Sequence, residues 1–465
     1  MIDKYALIKP RIQPPLDGTF LPAVLAFHAY QKSVEREGIP LAIGVERNGD
    51  DRSRYMMRVF PREHPDARDS LFFVERVIKF LLWQRGGYKL LIGGPGYIGD
   101  FIRRCYSPGG RQEFDSTFMG EKVYEKPFSV VKCDHSDVPD ANDKERILGR
   151  HLDGYRIGFD LGASDLKVSA VADGKVVYSE EIVWEPRNNF DPEYHYKYIT
   201  AALKKAASKM PRVDAIGGSS AGIFMDSRPM VASIFRNIPE ERFGEVRNLF
   251  RRIREEMGVP LEVINDGDVT ALAGSMAIED NGILGIAMGS SQAAGYVNMD
   301  GKIMSWLNEL SFAPIDYSTS APLEEWSGDH GCGSSYFSQQ CVFRLAALVG
   351  IDIPADLPDT ERLKIVQLEL EAGHEGAVRI WQSMGVYLGY GLAHYADFYD
   401  IKHVLILGRC TSGYGGELIL DGARNILQTE FPELADRIQL HLPDDKMRRL
   451  GQSFAAASLP NLGEY

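Results

Sequence analysis

The segment from Arg156 to Trp184, RIGFDLGASDLKVSAVADGKVVYSEEIVW, constrains the fold more than any other. It reads as an apolar strand, a glycine-bearing turn, a second strand, an Asp173-Gly174 turn and a third strand. The period then changes. A helix is predicted from about Pro192 to Met210, with Ala202, Leu203 and Ala206 at helical spacing. Val213 to Ile216 is a short strand, and a charged helix from Glu240 to Met257 stops at Gly258 and Pro260 before the strand Leu261 to Ile264. Strands Ile283 to Met288 and Ala294 to Asn298 bracket a short loop, helices dominate from Tyr336 to Tyr399, and Val404 to Leu407 is a further strand. Such alternation predicts an α/β fold.

A chain of 465 residues allows roughly three domains at about 150 residues each, or two that carry large additions. The first block runs from Met1 to about Arg150 and has strands on either side of an Asn48-Gly49 turn. Its helix starts at Ser70, with Phe73, Val77 and Leu81 on one stripe, and a strand from Lys89 to Ile92 enters Gly93-Gly94-Pro95-Gly96. Those glycines lack both the spacing and the acidic partner of a dinucleotide site and read as a turn. The polar stretch from Cys133 to Arg146 is the linker candidate. A net charge of −13 disfavours a nucleic-acid partner. The scattered cysteines, Cys105, Cys133, Cys332, Cys341 and Cys410, suit buried thiols in a reducing compartment. No apolar run approaches the roughly 18 residues of a membrane span, and the opening MIDKYALIKPRIQPP lacks the apolar centre of a signal peptide, so a cytoplasmic protein without a membrane partner is expected.

Chemistry-bearing residues gather at strand ends. Asp160 closes an apolar strand, Gly162 permits a tight turn, and Ser164 and Lys167 follow within one hairpin. Backbone N–H groups, a hydroxyl and an ammonium in such a turn suit phosphate oxygens, and Asp160 would face Mg²⁺, which prefers few carboxylates. A plain surface hairpin is the competing reading. Gly289, Ser290, Ser291 and Gln292 repeat that architecture more than 100 residues later, and Gly408 would let backbone approach a flat ligand such as adenine. In Asn265-Asp266-Gly267-Asp268, Asp268 suits a helix cap better than Asp266 does. Asp266 comes directly off the strand end, where α/β sheets bind ligands, and could accept a proton from a hydroxyl attacking phosphorus.

These segments, in this order, resemble the ROK family of sugar kinases and related repressors, within the superfamily of sugar kinases, actin and heat-shock ATPases. The likeness runs from about Tyr155 to the C-terminus. The family's D-x-G-x-T-x-x-K is similar to Asp160 through Lys167 with Ser164 for Thr, and N-D-x-x-x-x-A-x-x-E to VINDGDVTALAG with Gly274 for Glu. The resemblance implies two actin-like (ribonuclease H-like) lobes around a nucleotide cleft, with residues 1–150 as an N-terminal α/β extension, 151–264 as the first lobe and 265–465 as the second. The closing helix, LGQSFAAASL, would be free to return to the first lobe. It also implies ATP and Mg²⁺ as cofactors, Asp266 as base, and Ser220, Gly222, Asn237, Asn265 and Glu309 on the sugar. An oligomer contact is one role open to the first block.

Departures from the pattern are largest where the family recognises sugar and zinc. The family's G-E-x-G-H reads Asn308-Glu309-Leu310-Ser311-Phe312, and its C-x-C-G-x-x-G-C-x-E ends in Cys332-Gly333-Ser334 without two cysteines and the glutamate. Too few ligands remain for a structural zinc site, and glucose specificity does not transfer. The implied activity is phosphorylation of a hexose or related sugar. The alternative is a sugar- or nucleotide-binding regulator of the same fold with impaired catalysis.

Overall fold

The computed structural model describes Tyr5 and residues 8–464. The chain forms two compact units. The first comprises 1–144, 286–294 and 305–442; the second comprises 145–285, 295–304 and 443–465. These boundaries differ from the expected ones: residues 1–144 belong to the first unit instead of forming a block of their own, and Asp266 shares the second unit with Asp160. Among the described residues no helix is long and apolar enough to cross a membrane.

In the second unit a five-stranded sheet runs in the order Leu261–Asn265, Ala215–Ser220, Tyr155–Leu161, Asp165–Ala172, Lys175–Val183. The first three strands are parallel and the last three form an antiparallel meander. Period-two alternation sends Ile157, Phe159 and Leu161 into an apolar core with Leu203 and Phe250. Helix Pro192–Ala207 joins that core and is capped by Asp191, whose side chain accepts from the Glu193 N–H at 3.1 Å. On the opposite face sit Gly158 and Gly217, adjacent in register. A Cβ on Gly158 would lie 1.7 Å from the Ser453 carbonyl oxygen, and one on Gly217 1.7 Å from that of Ala456. The alanine-rich helix Asp445–Ala457, kinked at Gly451, therefore lies directly on these strands.

The charged helix expected over Glu240 to Met257 is broken, into a 3₁₀ turn at Glu240–Arg242 and helices Phe243–Arg247 and Leu249–Met257. Only the last presents a clear apolar stripe, with Leu249, Phe250 and Ile253 buried.

The first unit contains a four-stranded sheet in the order Arg52–Val59, Ile39–Glu46, Lys89–Gly93, Ser129–Cys133. Helix Ala67–Arg85 begins before the expected Ser70, whose hydroxyl instead accepts from the Tyr30 hydroxyl and the Phe60 N–H, both at 2.9 Å. This helix is buried almost all round, not amphipathic as its stripe suggests. Trp83 stacks on Phe312 with ring centroids 4.1 Å apart. Lys79 donates to both Asp115 oxygens at 2.9 Å, and Arg76 pairs with Asp329 at 2.9 Å. Gln112 donates to Glu75 at 2.7 Å and to Asp329 at 3.2 Å, and Arg111 reaches Glu75 at 2.9 Å. Burial alone would raise the Asp329 pKa, but Arg76 and Lys79 outweigh it and hold the group below the usual carboxylate range. Leu21 N–H donates to Asp316 at 3.0 Å, and Ala23 N–H to the Ile315 carbonyl at 2.9 Å. Residues 1–144 are thus joined to residues 305–442 by buried charge, stacked rings and backbone bonds, which is why they form no separate block.

Lys79→Met should leave Asp115 buried and unpaired, lowering stability by about 3–5 kcal/mol, seen as a lower urea midpoint. Lys79→Met combined with Asp115→Leu should restore much of that loss; equal midpoints for the single and double variants would contradict this account.

Candidate functional site

In the second unit Asp160 and Ser219 are register partners on neighbouring parallel strands, on the face that also carries Gly158 and Gly217. The Asp160 carboxyl is buried. Burial, opposed by the Ser219 hydroxyl and reinforced by the Asp266 charge, pushes its pKa up to about 7. Gly162 follows, its N–H bonded to the Asp165 carbonyl at 2.8 Å. The turn is clamped by Trp184, which donates through Nε1 to the Gly162 carbonyl at 3.0 Å and through its backbone N–H to that of Ser164 at 3.2 Å. Ser164 and Lys167 are exposed; the Ser164 hydroxyl donates to Asp165 at 3.2 Å, and Lys167 Nζ lies 3.7 Å from the same carboxylate.

Helix Asp266–Ile278 starts directly at the end of strand Leu261–Asn265, earlier than the expected Val269. Its cap is Asn265, not Asp268. Asn265 Oδ1 accepts from the Gly267 N–H at 2.7 Å, while its Nδ2 donates to the Gly222 carbonyl at 2.8 Å. Asp268 is buried and accepts from the Tyr296 N–H at 3.2 Å. Asp266 has a different environment: its Oδ1 is buried without a hydrogen-bond partner. Burial raises its pKa against the pull of the Gly267 N–H. Ser220 Oγ is likewise buried without a partner. Gly222 has φ +124°, and a Cβ there would lie 2.2 Å from the Val231 carbonyl oxygen, so the close approach requires glycine. Asn237 Nδ2 donates to the Arg187 carbonyl at 2.6 Å.

The remaining candidates lie in the first unit. Gly289, Ser290 and Ser291 form a turn closed by a Gly289 N–H to Ser291 carbonyl bond of 3.0 Å, and both serines are exposed. Gln292 departs from expectation. Its side chain is buried and donates to the Tyr395 hydroxyl at 3.2 Å, so it is unavailable to a phosphate from this turn. Gly408 has φ +101°, and a Cβ there would lie 2.6 Å from the Met288 carbonyl oxygen, which by itself explains the glycine. Glu309 is half-buried, with its N–H on the Trp83 carbonyl at 2.9 Å. Cys332 is buried beside the Arg76–Asp329 cluster, and burial pushes its thiol up to about 12. Among the described residues no group of three or more His, Cys, Asp or Glu is placed to hold a metal ion.

Sequence reasoning selected Ser220 but passed over Ser219, which strand alternation aims at Asp160. It also missed Trp184, which has no local signature because its partners are backbone carbonyls of the preceding hairpin.

No protein-family model and no curated protein matches the chain. Among solved structures, a ROK hexokinase from Thermus thermophilus matches at TM-score 0.51 and 18% identity, covering 65% of this chain and 97% of that one. A ROK family transcriptional regulator, a homologue of the E. coli MLC protein, matches at TM-score 0.54 and 17% identity, covering 66% of this chain and 78% of that one. The chain therefore has the α/β, actin-like fold of ROK proteins, with about a third of its length outside the match to the hexokinase.

Between the unfolded value of 3.8 and about 7, folded Asp160 keeps a proton that the unfolded chain has released. Stability contributed by this group therefore falls as pH rises through that window and stays lowered above it. Asp160→Asn should be more stable than the parent at pH 8, by on the order of a few kcal/mol, and nearly equal to it at pH 4. Urea unfolding at the two pH values checks this, and a variant less stable at pH 8 would refute it.

Proposed function

We propose that the chain is an ATP-dependent kinase that phosphorylates a hydroxyl of a sugar, with Asp266 as general base. The observation that carries this reading is the buried, unpartnered Oδ1 of Asp266, at the N-terminus of a helix that begins directly off a parallel strand. Its neighbours Asn265 and Asp268 are engaged in backbone hydrogen bonds, so Asp266 is the carboxylate with an oxygen to spare. A pKa moved toward neutrality makes it a stronger base than an ordinary aspartate.

In the proposed reaction the acceptor oxygen attacks the γ-phosphorus, the bond to the β-phosphate oxygen breaks, and the acceptor proton passes to Asp266. The turn at Gly162–Ser164 and Lys167 would hold phosphate oxygens, as would the separate turn at Gly289–Ser291. Asp160 fits a magnesium site: among the described residues no cation forms an ion pair with its buried carboxyl, Lys167 across the hairpin acting only weakly, and a bound Mg²⁺ would stabilise its ionised form. When bound, Mg²⁺ neutralises phosphate charge. Ser220, Gly222, Asn237 and Asn265 would shape the acceptor side, Asn265 and Asn237 by holding backbone in place.

A regulator of the same fold is the second reading. It is favoured by the burial of Gln292, which leaves the Gly289 turn poorer in donors than the first hairpin.

Asp266→Asn preserves shape but not basicity. It should lower sugar-dependent ADP release by about 10²–10⁴-fold while leaving ATP-analogue binding nearly unchanged and without lowering the unfolding midpoint. Undiminished turnover in the variant would remove Asp266 as base. ATP binding by the parent without turnover on any neutral, amino or acidic sugar would favour the regulator.

A further inference from the structure

Arg187 lies in the short 3₁₀ turn Pro186–Asn188 and is half-buried. Its Nη2 donates to Ser233 Oγ at 3.2 Å, and its Nε is buried with no hydrogen bond. No carboxylate among the described residues is paired with it. The fully buried arginines are neutralised: Arg47 by Asp51 and Asp143, Arg76 by Asp329, and Arg156 by Asp153 at 3.0 Å. Ser233, whose Oγ accepts from Arg187, also accepts the Arg236 N–H through its carbonyl at 3.4 Å, which sets the exposed Arg236 next to it in the chain; burial first, and then this like charge, push Arg187 below the ordinary arginine range. Among the described residues neither arginine has a counter-charge, an arrangement that a bound anion would complete.

Their position ties them to the acceptor side. Arg187 follows Trp184, which clamps the Gly162–Ser164 turn, and its carbonyl accepts from Asn237. Ser233, its hydrogen-bond acceptor, follows Ala232, whose Cα would lie 2.7 Å from a Cβ on Gly222. The Gly222 carbonyl in turn accepts from Asn265, the residue before Asp266.

We infer that Arg187 and Arg236 receive a negatively charged group of the acceptor, so that the substrate is an acidic sugar, bearing a carboxylate or a phosphate, and not a neutral hexose. This rests on the kinase reading for the identity of the acceptor side. A guanidinium suits either anion through charge-assisted, two-point hydrogen bonding.

The test is calorimetric titration of the full chain with D-glucuronate, glucose 6-phosphate and glucose, and separately with an ATP analogue and Mg²⁺. At least one acidic probe should bind about tenfold or more tighter than glucose. Arg187→Met, and Arg236→Ser at an exposed position where folding is not at risk, should each cut that preference by about tenfold with ATP-analogue affinity unchanged. The inference is overturned if glucose binds as well as the acids, if no acidic probe binds, or if the preference survives both substitutions. A loss confined to the ATP analogue would also overturn it, assigning the arginines to nucleotide phosphate. Because binding is read without turnover, the two readings separate. Arginine-dependent binding of an acidic probe that is never phosphorylated would sink the kinase reading alone, whereas phosphorylation of glucose unaffected by either substitution would sink this inference alone.

Discussion

The missing side chains of Gly158 and Gly217 govern the second unit. They are adjacent in register on parallel strands, and each would drive a Cβ to 1.7 Å from a carbonyl oxygen of the C-terminal helix. The helix backbone therefore rests on the strand backbone itself, closer than any larger residue would allow. Two residues further along the same strands, and so on the same face, come Asp160 and Ser219. The sequence around Asp160 is that of an ordinary strand. Its place on the face this helix covers makes the carboxyl buried and hard to ionise.

The first unit depends on a buried charge balance. Glu75, Asp115 and Asp329 meet Arg76, Lys79 and Arg111, with Gln112 bridging two of the acids. Helix Ala67–Arg85 also stacks Trp83 on Phe312. The positions where this chain departs most from the ROK pattern, Phe312 and the stretch holding Asp329 and Cys332, are thus the positions that this helix engages. Rings and ion pairs hold that stretch together, and exposing the apolar and aromatic face of this helix, Trp83 included, to water would be unfavourable.

At the helix start Asn265–Asp268, adjacent polar side chains of similar size have divergent duties set by direction. Asn265 caps the helix and holds Gly222, Asp268 points to a backbone N–H of Tyr296, and Asp266 keeps a buried oxygen unmatched. Structural demands consume the neighbours, and Asp266 is left with the buried oxygen that has no partner.

The sequence by itself determined the α/β class, the meander from Tyr155 to Val183 and the strand-end placement of Asp160 and Asp266, because apolar periodicity and glycine turns act locally. It also carried the resemblance to ROK proteins. Only the tertiary structure decided that residues 1–144 share a unit with 305–442, since ion pairs such as Arg76–Asp329 join residues 253 apart in sequence. Likewise it buried Gln292 against Tyr395, gave Gly408 its reason in the Met288 backbone, and set Arg187 beside Arg236 without an acid. A side chain's partner, and hence whether its polar atoms are satisfied or left over, depends on what the fold brings opposite it, and no local pattern records that.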